Sequence, residues 1–442
     1  KFTGTWRGYD WAMSANKAAL VLSWKEVVLQ TAADGGVRGS VNYTVLSGDA
    51  YHGGVPVKTG FERVYGMVDA QTGDIALVEA EEQGIFSGKL SEDGVDLFLF
   101  QLQSSIAANP NNGQPASNAL VAFMNLTKHA ERVDPNAPVV AGFDVDPAEC
   151  TGRWTGPDWA HSFTRGHAVG TMKTFDLVCD EKGGVVGNMT YETLDGTGGG
   201  TDDHGRSTKR DAERVFGIFN PLDHTIALVE AAETGHYVGT LNGALKVAQT
   251  QTKISLNNLV GQTASNPLVA LIDVPRVDPS APSAPSDPPD TTRRAWIADP
   301  AWCSGTWTGE DKAFSVALDT VLVAKKKVVL HCNVYGDLTG NYEYEVSDGS
   351  GFNRQGEAVK FESEPVFGQI APNTLDLVLV KGEKQGRLEG HFTDPAGAGL
   401  HLVQWQTAML KYAPSGQAAS NGIVAFIDLV KEDPITACNC DC

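Results

Sequence analysis

The chain carries the phrase Gly4-Thr5-Trp6 and repeats it as Gly152-Arg153-Trp154 and as Gly305-Thr306-Trp307. A second phrase follows each copy: Glu62-Arg63-Val64-Tyr65-Gly66, Glu213-Arg214-Val215-Phe216-Gly217 and Glu364-Pro365-Val366-Phe367-Gly368. A third phrase closes each copy: Gly113-Gln114-Pro115-Ala116-Ser117-Asn118, Gly261-Gln262-Thr263-Ala264-Ser265-Asn266 and Gly416-Gln417-Ala418-Ala419-Ser420-Asn421. Three landmarks in the same order, three times over, indicate a threefold internal repeat, and a repeat of this kind determines the fold.

The repeat predicts three domains, which we place at residues 2–128, 150–276 and 303–431. The segments between them, 129–149 and 277–302, contain Val-Asp-Pro phrases, and the second is rich in further prolines. Such stretches cannot bury a core, so we expect semi-stiff, extended linkers. Residues 432–442 form a Cys-rich tail.

Each repeat has the pattern of β-structure. Runs such as Ala18 to Leu22, Val37 to Leu46 and Ile75 to Val78 are short, apolar or β-branched, and bounded by Gly, Asp and Asn turns. We count seven or eight strands in each repeat and find no helical period. A sheet of this size without covering helices must close or stack to protect its edges. The sequence therefore predicts an all-β protein of three tandem antiparallel up-and-down β-barrels, with β-sandwiches as the alternative.

Composition excludes several classes of partner. The 442 residues include 34 Lys and Arg against 54 Asp and Glu, a formal net charge of −20. Nucleic acids and anionic membranes select basic surfaces, so neither is expected as a partner. No apolar run reaches the length of a membrane-spanning helix. The absence of an initiator Met and of a signal-like segment at Lys1 is expected of a processed chain or of a trimmed one.

The seven cysteines fall into two matched pairs and one cluster. Cys150 and Cys179 have the same spacing as Cys303 and Cys332, at equivalent repeat positions, whereas the first repeat has Phe2 and Thr31 there. Because a pair gained or lost together avoids a free thiol, two disulfides are predicted, with four buried thiols as the alternative. Disulfides indicate an oxidising compartment, and hence a secreted protein.

Two further features bear on secretion and on partners. Three N-glycosylation sequons begin at Asn42, Asn125 and Asn188 and predict a glycoprotein. The tail ends in Cys438, Cys440 and Cys442. We expect these thiols to cross-link chains or to begin a longer Cys-rich segment; no complementary ligand cluster supports a metal site, and no cofactor is expected.

A Gln-x-Gln pair recurs in all three repeats: Gln101 and Gln103, Gln249 and Gln251, Gln404 and Gln406. Residues two apart on a strand share a face, and apolar neighbours such as Leu245 and Val247 place these glutamines on the inner face. They are candidate ligand-binding residues near a barrel mouth. The alternative that we favour is structural, in which the amides bond a returning loop, such as the Gly-Gln-x-Ala-Ser-Asn segment.

Other shared residues are weaker candidates. The repeated tryptophans Trp6, Trp154 and Trp307 are predicted to be core, whereas Trp11 and Trp159, present in two repeats only, could contact a ligand. Six acids recur, namely Asp10, Asp158, Asp311, Glu62, Glu213 and Glu364; we expect solvated or backbone-bonded carboxylates rather than a catalytic pair. No histidine is shared by all repeats and no nucleophile motif occurs, so the protein is not expected to be an enzyme.

The order of motifs resembles the avidin and streptavidin barrel, and more broadly the lipocalin-like barrels. The resemblance rests on Gly-Thr-Trp, on Asp34 to Gly39, on Gly386 to Gly390, on Gln404-Trp405 and on Ala419-Ser420-Asn421. It implies an eight-stranded meander barrel with a ligand site at one end, where Trp405 would line the site, and a tendency to form oligomers. It does not imply biotin binding, because Leu102 and Thr250 replace that tryptophan in the other repeats.

Two functions fit these observations. The first is a secreted, non-catalytic binding or adhesion protein with repeated weak sites for a glycan or a small molecule. The second is a structural subunit of an extracellular filament, sheath or other assembly, with contacts through barrel faces or through the tail cysteines.

Overall fold

A computed structural model describes residues 1–15, 18–48, 50–52, 55–128, 144–194, 200–201, 207–278, 299–347, 349–353, 355–371, 374–394 and 396–432. The tail cysteines and most of the two predicted linkers lie outside the described residues. Residues 196–210 are also described only in part.

Barrel 1 contains eight long strands and one short hairpin. The strands are β1 (Gly4–Ser14), β2 (Ala19–Thr31), β3 (Gly36–Ser47), the hairpin β4 (Ala50–His52) and β5 (Val55–Val57), then β6 (Thr59–Val68), β7 (Asp74–Glu79), β8 (Gly84–Leu90), β9 (Asp96–Gln103) and β10 (Leu120–Lys128).

Barrel 2 repeats this order after a single turn of helix, α1 (Pro147–Cys150). Its strands are β11 (Gly152–Ser162), β12 (His167–Cys179), β13 (Gly184–Thr193), the hairpin β14 (Gly200–Thr201) and β15 (Ser207–Thr208), β16 (Arg210–Asn220), β17 (Thr225–Glu230), β18 (His236–Asn242), β19 (Ala244–Gln251) and β20 (Leu268–Val277).

Barrel 3 has the same order and adds one 3₁₀ turn (Ala413–Ser415). Its strands are β21 (Gly305–Ser315), β22 (Thr320–Cys332), β23 (Asp337–Val346), the hairpin β24 (Gly351–Phe352) and β25 (Ala358–Val359), β26 (Phe361–Ile370), β27 (Asp376–Lys381), β28 (Gly386–Phe392), β29 (Gly399–Gln406) and β30 (Ile423–Lys431).

Each set of eight long strands closes into an antiparallel barrel. Successive long strands pair with each other, and the last strand returns to the first: β10 to β1, β20 to β11 and β30 to β21. Closure leaves no unpaired barrel edge. The predicted three up-and-down barrels are therefore confirmed, and the sandwich alternative is wrong.

The inward side chains of each barrel form its core. Trp6, Trp154 and Trp307 are completely buried, as predicted, and a cationic side chain caps each ring. The Lys128 ammonium lies 4.8 Å from the Trp6 ring centre, and the Lys431 ammonium lies 5.0 Å from that of Trp307. A cation over an aromatic face is attractive.

The second repeated phrase ends in a glycine because two strands approach closely there. A Cβ atom on Gly66 would lie 2.0 Å from the Ala76 carbonyl oxygen, and one on Gly217 would lie 1.8 Å from that of Ala227. Gly368 has the same environment. A side chain at this position is therefore incompatible with the barrel.

Both predicted disulfides are present. Cys150 bonds Cys179 and Cys303 bonds Cys332, each across 29 residues of sequence. Each bond ties the segment before the first strand of its barrel to the end of the second strand. The alternative of four buried thiols is wrong.

The three barrels pack against one another in a closed ring. Strand β10 of barrel 1 contacts β16 of barrel 2, β20 of barrel 2 contacts β26 of barrel 3, and β30 of barrel 3 returns to β6 of barrel 1. Apolar clusters fill these contacts, as where Met13 and Val121 of barrel 1 meet Phe216 and Val229 of barrel 2. The single chain thus arranges its three barrels with approximate threefold symmetry, as three subunits are arranged in a trimer.

The closing Gly-Gln-x-Ala-Ser-Asn loops form the centre of this ring. Gln262 accepts a hydrogen bond from the Ala107 amide of barrel 1 at 2.7 Å, Gln417 accepts one from Ser255 and Gln114 accepts one from Leu410. Three buried side chains meet beside these bonds, namely Ile106, Ile254 and Met409. The repeated glutamine of this phrase therefore joins each barrel to its neighbour.

Candidate functional site

The predicted Gln-x-Gln residues lie on the inner faces of the barrels and are buried. The second glutamine of each pair bonds the closing loop: Gln103 donates to the Ser117 hydroxyl at 3.2 Å, Gln251 to the Ser265 hydroxyl at 2.9 Å and Gln406 to the Asn421 carbonyl at 2.9 Å. The structural role that the sequence analysis favours is thus present in all three barrels.

In barrel 1 the same glutamines also bond two glutamates that the sequence analysis missed. Gln101 donates to Glu79 at 2.8 Å, and Gln103 donates to Glu82 at 2.6 Å. Glu79 ends β7 and also accepts from the Gly84 amide at 3.1 Å, while Glu82 lies in the turn to β8. The β7–β8 turn therefore directs two carboxylates into the barrel.

An ion pair lies beside these carboxylates. The Lys25 ammonium is 3.0 Å from Asp10, which also accepts from the Ser23 hydroxyl at 2.8 Å. The same ammonium lies 4.9 Å from the Tyr43 ring centre. The Asp10 charge is thus matched inside the barrel.

A cavity runs between these groups. Its polar lining includes Tyr43, Glu62, Glu79, Glu82 and Gln101. About 60 Å³ is open to the centres of water-sized groups, several times the minimum of roughly 15 Å³ that one water requires. The cavity therefore has room for a compact ligand.

Barrel 2 has the same arrangement. Lys173 pairs with Asp158 at 3.0 Å, Tyr237 donates to Glu230 at 2.6 Å, and Gln251 donates to Glu233. Its cavity has the same size, about 60 Å³, and its polar lining includes Tyr191, Glu213, Glu230, Glu233 and Gln249. Barrels 1 and 2 thus hold related sites that differ in two ways: barrel 1 has Phe86 in place of Tyr237, and Lys173 donates to Gln249 at 2.5 Å.

Barrel 3 has lysines where the other barrels have the two glutamates after the seventh strand of the repeat. Lys381 replaces Glu79 and Glu230, and Lys384 replaces Glu82 and Glu233. Both ammonium groups are buried. Lys381 donates to Gln406 at 2.9 Å, and Lys384 lies 2.7 Å from Glu364.

The substitution changes the charge of the interior. In barrels 1 and 2, three described glutamates line each cavity beside the Asp–Lys pair. In barrel 3, Asp311 pairs with Lys326 at 3.7 Å, and two further carboxylates, Glu362 and Glu364, face two ammonium groups, a formal charge of zero. Barrel 3 thus has two ammonium groups at positions where barrels 1 and 2 have carboxylates.

The pKa values of the carboxylates follow these charges. Burial raises the pKa of Glu79 well above its usual range, and the nearby Glu62 and Glu82 raise it further. Burial opposes ionisation of Glu364 as well, yet the Lys381 and Lys384 ammonium groups lower its pKa. A cation beside the equivalent carboxylates of barrels 1 and 2 would favour their charged forms in the same way.

The tryptophans that the sequence suggests as ligand contacts do not line the cavities inside the barrels. Trp405 faces barrel 1, where its indole donates to the Phe86 carbonyl at 3.1 Å. Trp11 and Trp159 follow the inward Asp10 and Asp158 and so face outward; Trp11 packs in the contact between barrels 1 and 2. These tryptophans therefore lie outside the cavities.

The expectation of solvated acids is wrong for four of the six; Glu62 and Glu213 are half-buried. Asp10, Asp158, Asp311 and Glu364 are buried inside the barrels. Asp10 lies in the middle of an eleven-residue strand. The alternation of side chains along a strand this long turns the acid inward.

The three sequons, the helices and the candidate metal ligands were each predicted to bear on where the protein acts and what it binds. Asn42, Asn125 and Asn188 lie within β3, β10 and β13; Asn125 and Asn188 are exposed, and glycosylation stays a prediction. Across the described ranges, no helix has the length and apolarity needed to cross a bilayer. The same ranges contain no group of three or more His, Cys, Asp or Glu residues arranged for a metal ion.

Comparison with known proteins adds little beyond the fold. The three eight-stranded antiparallel barrels fit the lipocalin- and avidin-like barrel fold. No protein-family model matches the sequence, and no curated protein matches it.

Two solved structures are weakly similar to the chain. A protein of unknown function from the DUF3598 family of Nostoc punctiforme PCC 73102 is 12% identical, over 62% of this chain and 96% of its own, with a TM-score of 0.20. The isotype 1 transferrin binding protein B of serogroup B Neisseria meningitidis is 10% identical, over 97% of this chain and 76% of its own, with a TM-score of 0.18. Scores this low support no conclusion about function.

Proposed function

We propose that this protein is a secreted, non-catalytic binding protein whose first two barrels each hold a small cationic ligand. The observation that carries the proposal is the substitution inside the barrels. Glu79 and Glu82 of barrel 1, and their equivalents in barrel 2, face a cavity, whereas barrel 3 has Lys381 and Lys384 at these positions.

Electrostatics favours a cation in these cavities. Several carboxylates in one buried site repel one another, and burial away from water opposes their ionisation. Barrel 3 removes that cost with its own ammonium groups, which contact Glu362 and Glu364. In barrels 1 and 2 a ligand ammonium or guanidinium group would take the place of the Lys381 and Lys384 ammonium groups.

The size and walls of the cavities favour a compact ligand with an aliphatic part. Apolar side chains also line each cavity: Ala12, Val21, Val41 and Leu120 in barrel 1, and Ala160, Val169, Met189 and Leu268 in barrel 2. An extended glycan would need a longer groove than either cavity offers. Among the ligands that the sequence suggests, a small molecule is therefore preferred to a glycan.

Secretion is supported by the two disulfides, since such bonds persist in oxidising compartments. The alternative function, a structural subunit, is less favoured because strands of every barrel are already covered by a neighbouring barrel of the same chain. An assembly would have to use the remaining faces or the tail cysteines.

The test is binding of n-butylammonium to the full chain, measured by isothermal titration calorimetry and native mass spectrometry. We expect two bound molecules per chain, with n-butanol and butyrate binding at least tenfold more weakly. Glu79→Gln/Glu82→Gln should remove one of the two sites, and Glu230→Gln/Glu233→Gln should remove the other.

Replacement of an exposed glutamate, Glu92→Gln, is the matched control and should leave both sites intact. Tight binding of butyrate or butanol in place of the amine, or amine binding that survives both double substitutions, would refute the proposal.

A further inference from the structure

A small cavity lies where the three barrels meet, and we call it the axial cavity. Its lining contains sets of equivalent residues, one from each barrel, such as Ser104, Thr252 and Thr407, and Ile85, His236 and Arg387. Because the same repeat positions of all three barrels line it, the cavity lies on the approximate threefold axis of the ring. It shares no lining residue with the cavities inside barrels 1 and 2.

The axial cavity has one positively charged group and no described carboxylate in its lining. Barrel 3 contributes Arg387, a side chain that is 7% exposed, where barrels 1 and 2 contribute Ile85 and His236. The other described lining groups are hydroxyls, amides and one indole. Glu389 contacts the Nη2 atom of Arg387, but its carboxylate is not part of this lining. A cavity with this lining favours a negatively charged ligand.

Arg387 also has a buried donor without an acceptor. Its Nε atom is inaccessible to solvent and donates no hydrogen bond within the described part of the chain. Leaving a buried donor of a charged group unsatisfied is costly. The Nε atom therefore indicates an acceptor that the described residues do not provide.

His236 orients a second donor of the lining. Its Nδ1 atom lies 3.5 Å from Nη1 of Arg387, and its Nε2 atom lies 2.9 Å from the Ser104 hydroxyl. Burial and the Arg387 charge lower the pKa of His236 to about 3, so the ring is neutral at pH 7. Because a guanidinium group can only donate, Nδ1 is the acceptor and Nε2 donates to Ser104. The Ser104 hydroxyl then has its own proton to donate.

We propose that the axial cavity binds one monovalent inorganic anion of about the size of chloride, which joins the three barrels. Arg387 of barrel 3 would supply the positive charge, and the hydroxyls of Ser104 in barrel 1 and Thr250 in barrel 2 would donate hydrogen bonds. This inference does not depend on the proposed binding of amines, because the two kinds of site have no lining residue in common.

The size of the cavity selects among anions. About 30 Å³ is open to the centres of water-sized groups, roughly twice the minimum of about 15 Å³ that one water requires. A single halide ion fits this space, whereas sulfate has five heavy atoms. Sulfate would also bring two negative charges to one guanidinium group that Glu389 already contacts.

The test is chlorine NMR of the full chain at pH 7, with sodium chloride replacing sodium gluconate at constant ionic strength. We expect line broadening from a single saturable site, which bromide removes by competition and sulfate does not. Chloride should also raise the thermal midpoint of unfolding, because it binds the folded ring alone. No saturable broadening, competition by sulfate as strong as that by bromide, or an unchanged midpoint would overturn the inference. None of these results bears on amine binding.

Two variants test the residues. Arg387→Gln should weaken chloride binding by at least tenfold, and Thr250→Val, which removes only a hydroxyl, should weaken it by about tenfold. Arg153→Gln is the matched control, since Arg153 is exposed and pairs with Asp176 as Arg387 pairs with Glu389; it should leave binding unchanged. Unchanged binding in folded Arg387→Gln would overturn the site. If that variant does not fold, Thr250→Val decides, and unchanged affinity there has the same meaning.

Discussion

His236 is a buried histidine where the three barrels meet. Its ring lies 2.9 Å from the Ser104 hydroxyl of barrel 1 and 3.5 Å from the Arg387 guanidinium of barrel 3. Burial and the Arg387 charge lower the pKa of His236 from 6.5 to about 3. We predict that protonation of this ring destabilises the folded protein in acid.

The sign and size of the effect follow from the two pKa values. A folded pKa below the unfolded one means that the unfolded chain binds more protons, so stability is lost as the pH falls from about 6.5 toward 3. Each pH unit in this window is worth about 1.4 kcal/mol. Between pH 7 and pH 5, His236 should therefore lower the free energy of unfolding by about 2 kcal/mol.

The assay is urea unfolding at pH 7 and pH 5 for the wild type and for His236→Gln, which keeps a donor for Ser104 but does not titrate. Carboxylates with raised pKa values, such as Glu79, change stability in the opposite direction, but they do so equally in both proteins. The difference between the two proteins therefore isolates His236.

We expect the wild type to lose about 2 kcal/mol more than the variant between the two pH values. His167→Gln, which removes an exposed histidine of the same barrel, controls for the loss of a histidine as such. The same pH dependence in the wild type and in His236→Gln would refute the reasoning.

Three further predictions concern the fold. Cys150→Ala/Cys179→Ala should lower the free energy of unfolding by about 3.6 kcal/mol, the entropy of closing a loop of about 30 residues; an unchanged thermal midpoint would contradict this. Gly66→Ala should prevent barrel 1 from folding, because its Cβ atom would meet the opposite carbonyl oxygen at 2.0 Å; soluble protein with a native near-ultraviolet spectrum would count against it. Ile254→Ala at the centre of the ring should cost about 2–5 kcal/mol in urea unfolding, whereas Leu259→Ala, 79% exposed in the same loop, should cost nothing measurable.

The sequence predicted the inward glutamines but not the acids and lysines around them. Gln101 and Gln103 belong to a strand whose alternation is visible in the sequence, so their face could be inferred. Glu79 ends its strand and Glu82 lies in a turn, where the period of two no longer applies. An alignment of the three repeats places Glu79 and Glu82 opposite Lys381 and Lys384. This difference in charge gains a meaning only when these positions are known to face the interior of the barrel.

The sequence by itself determined the threefold repeat, the closed β-barrels and the two disulfides. These follow from local rules: strand alternation, glycine where backbones meet, and cysteines that occur only as pairs. Only the tertiary structure decided that the barrels form a ring and that their acids face two cavities. The contacts within the ring and within the cavities are made by residues far apart in the chain, such as Gln114 and Leu410. No local sequence pattern shows which outer faces of the barrels meet.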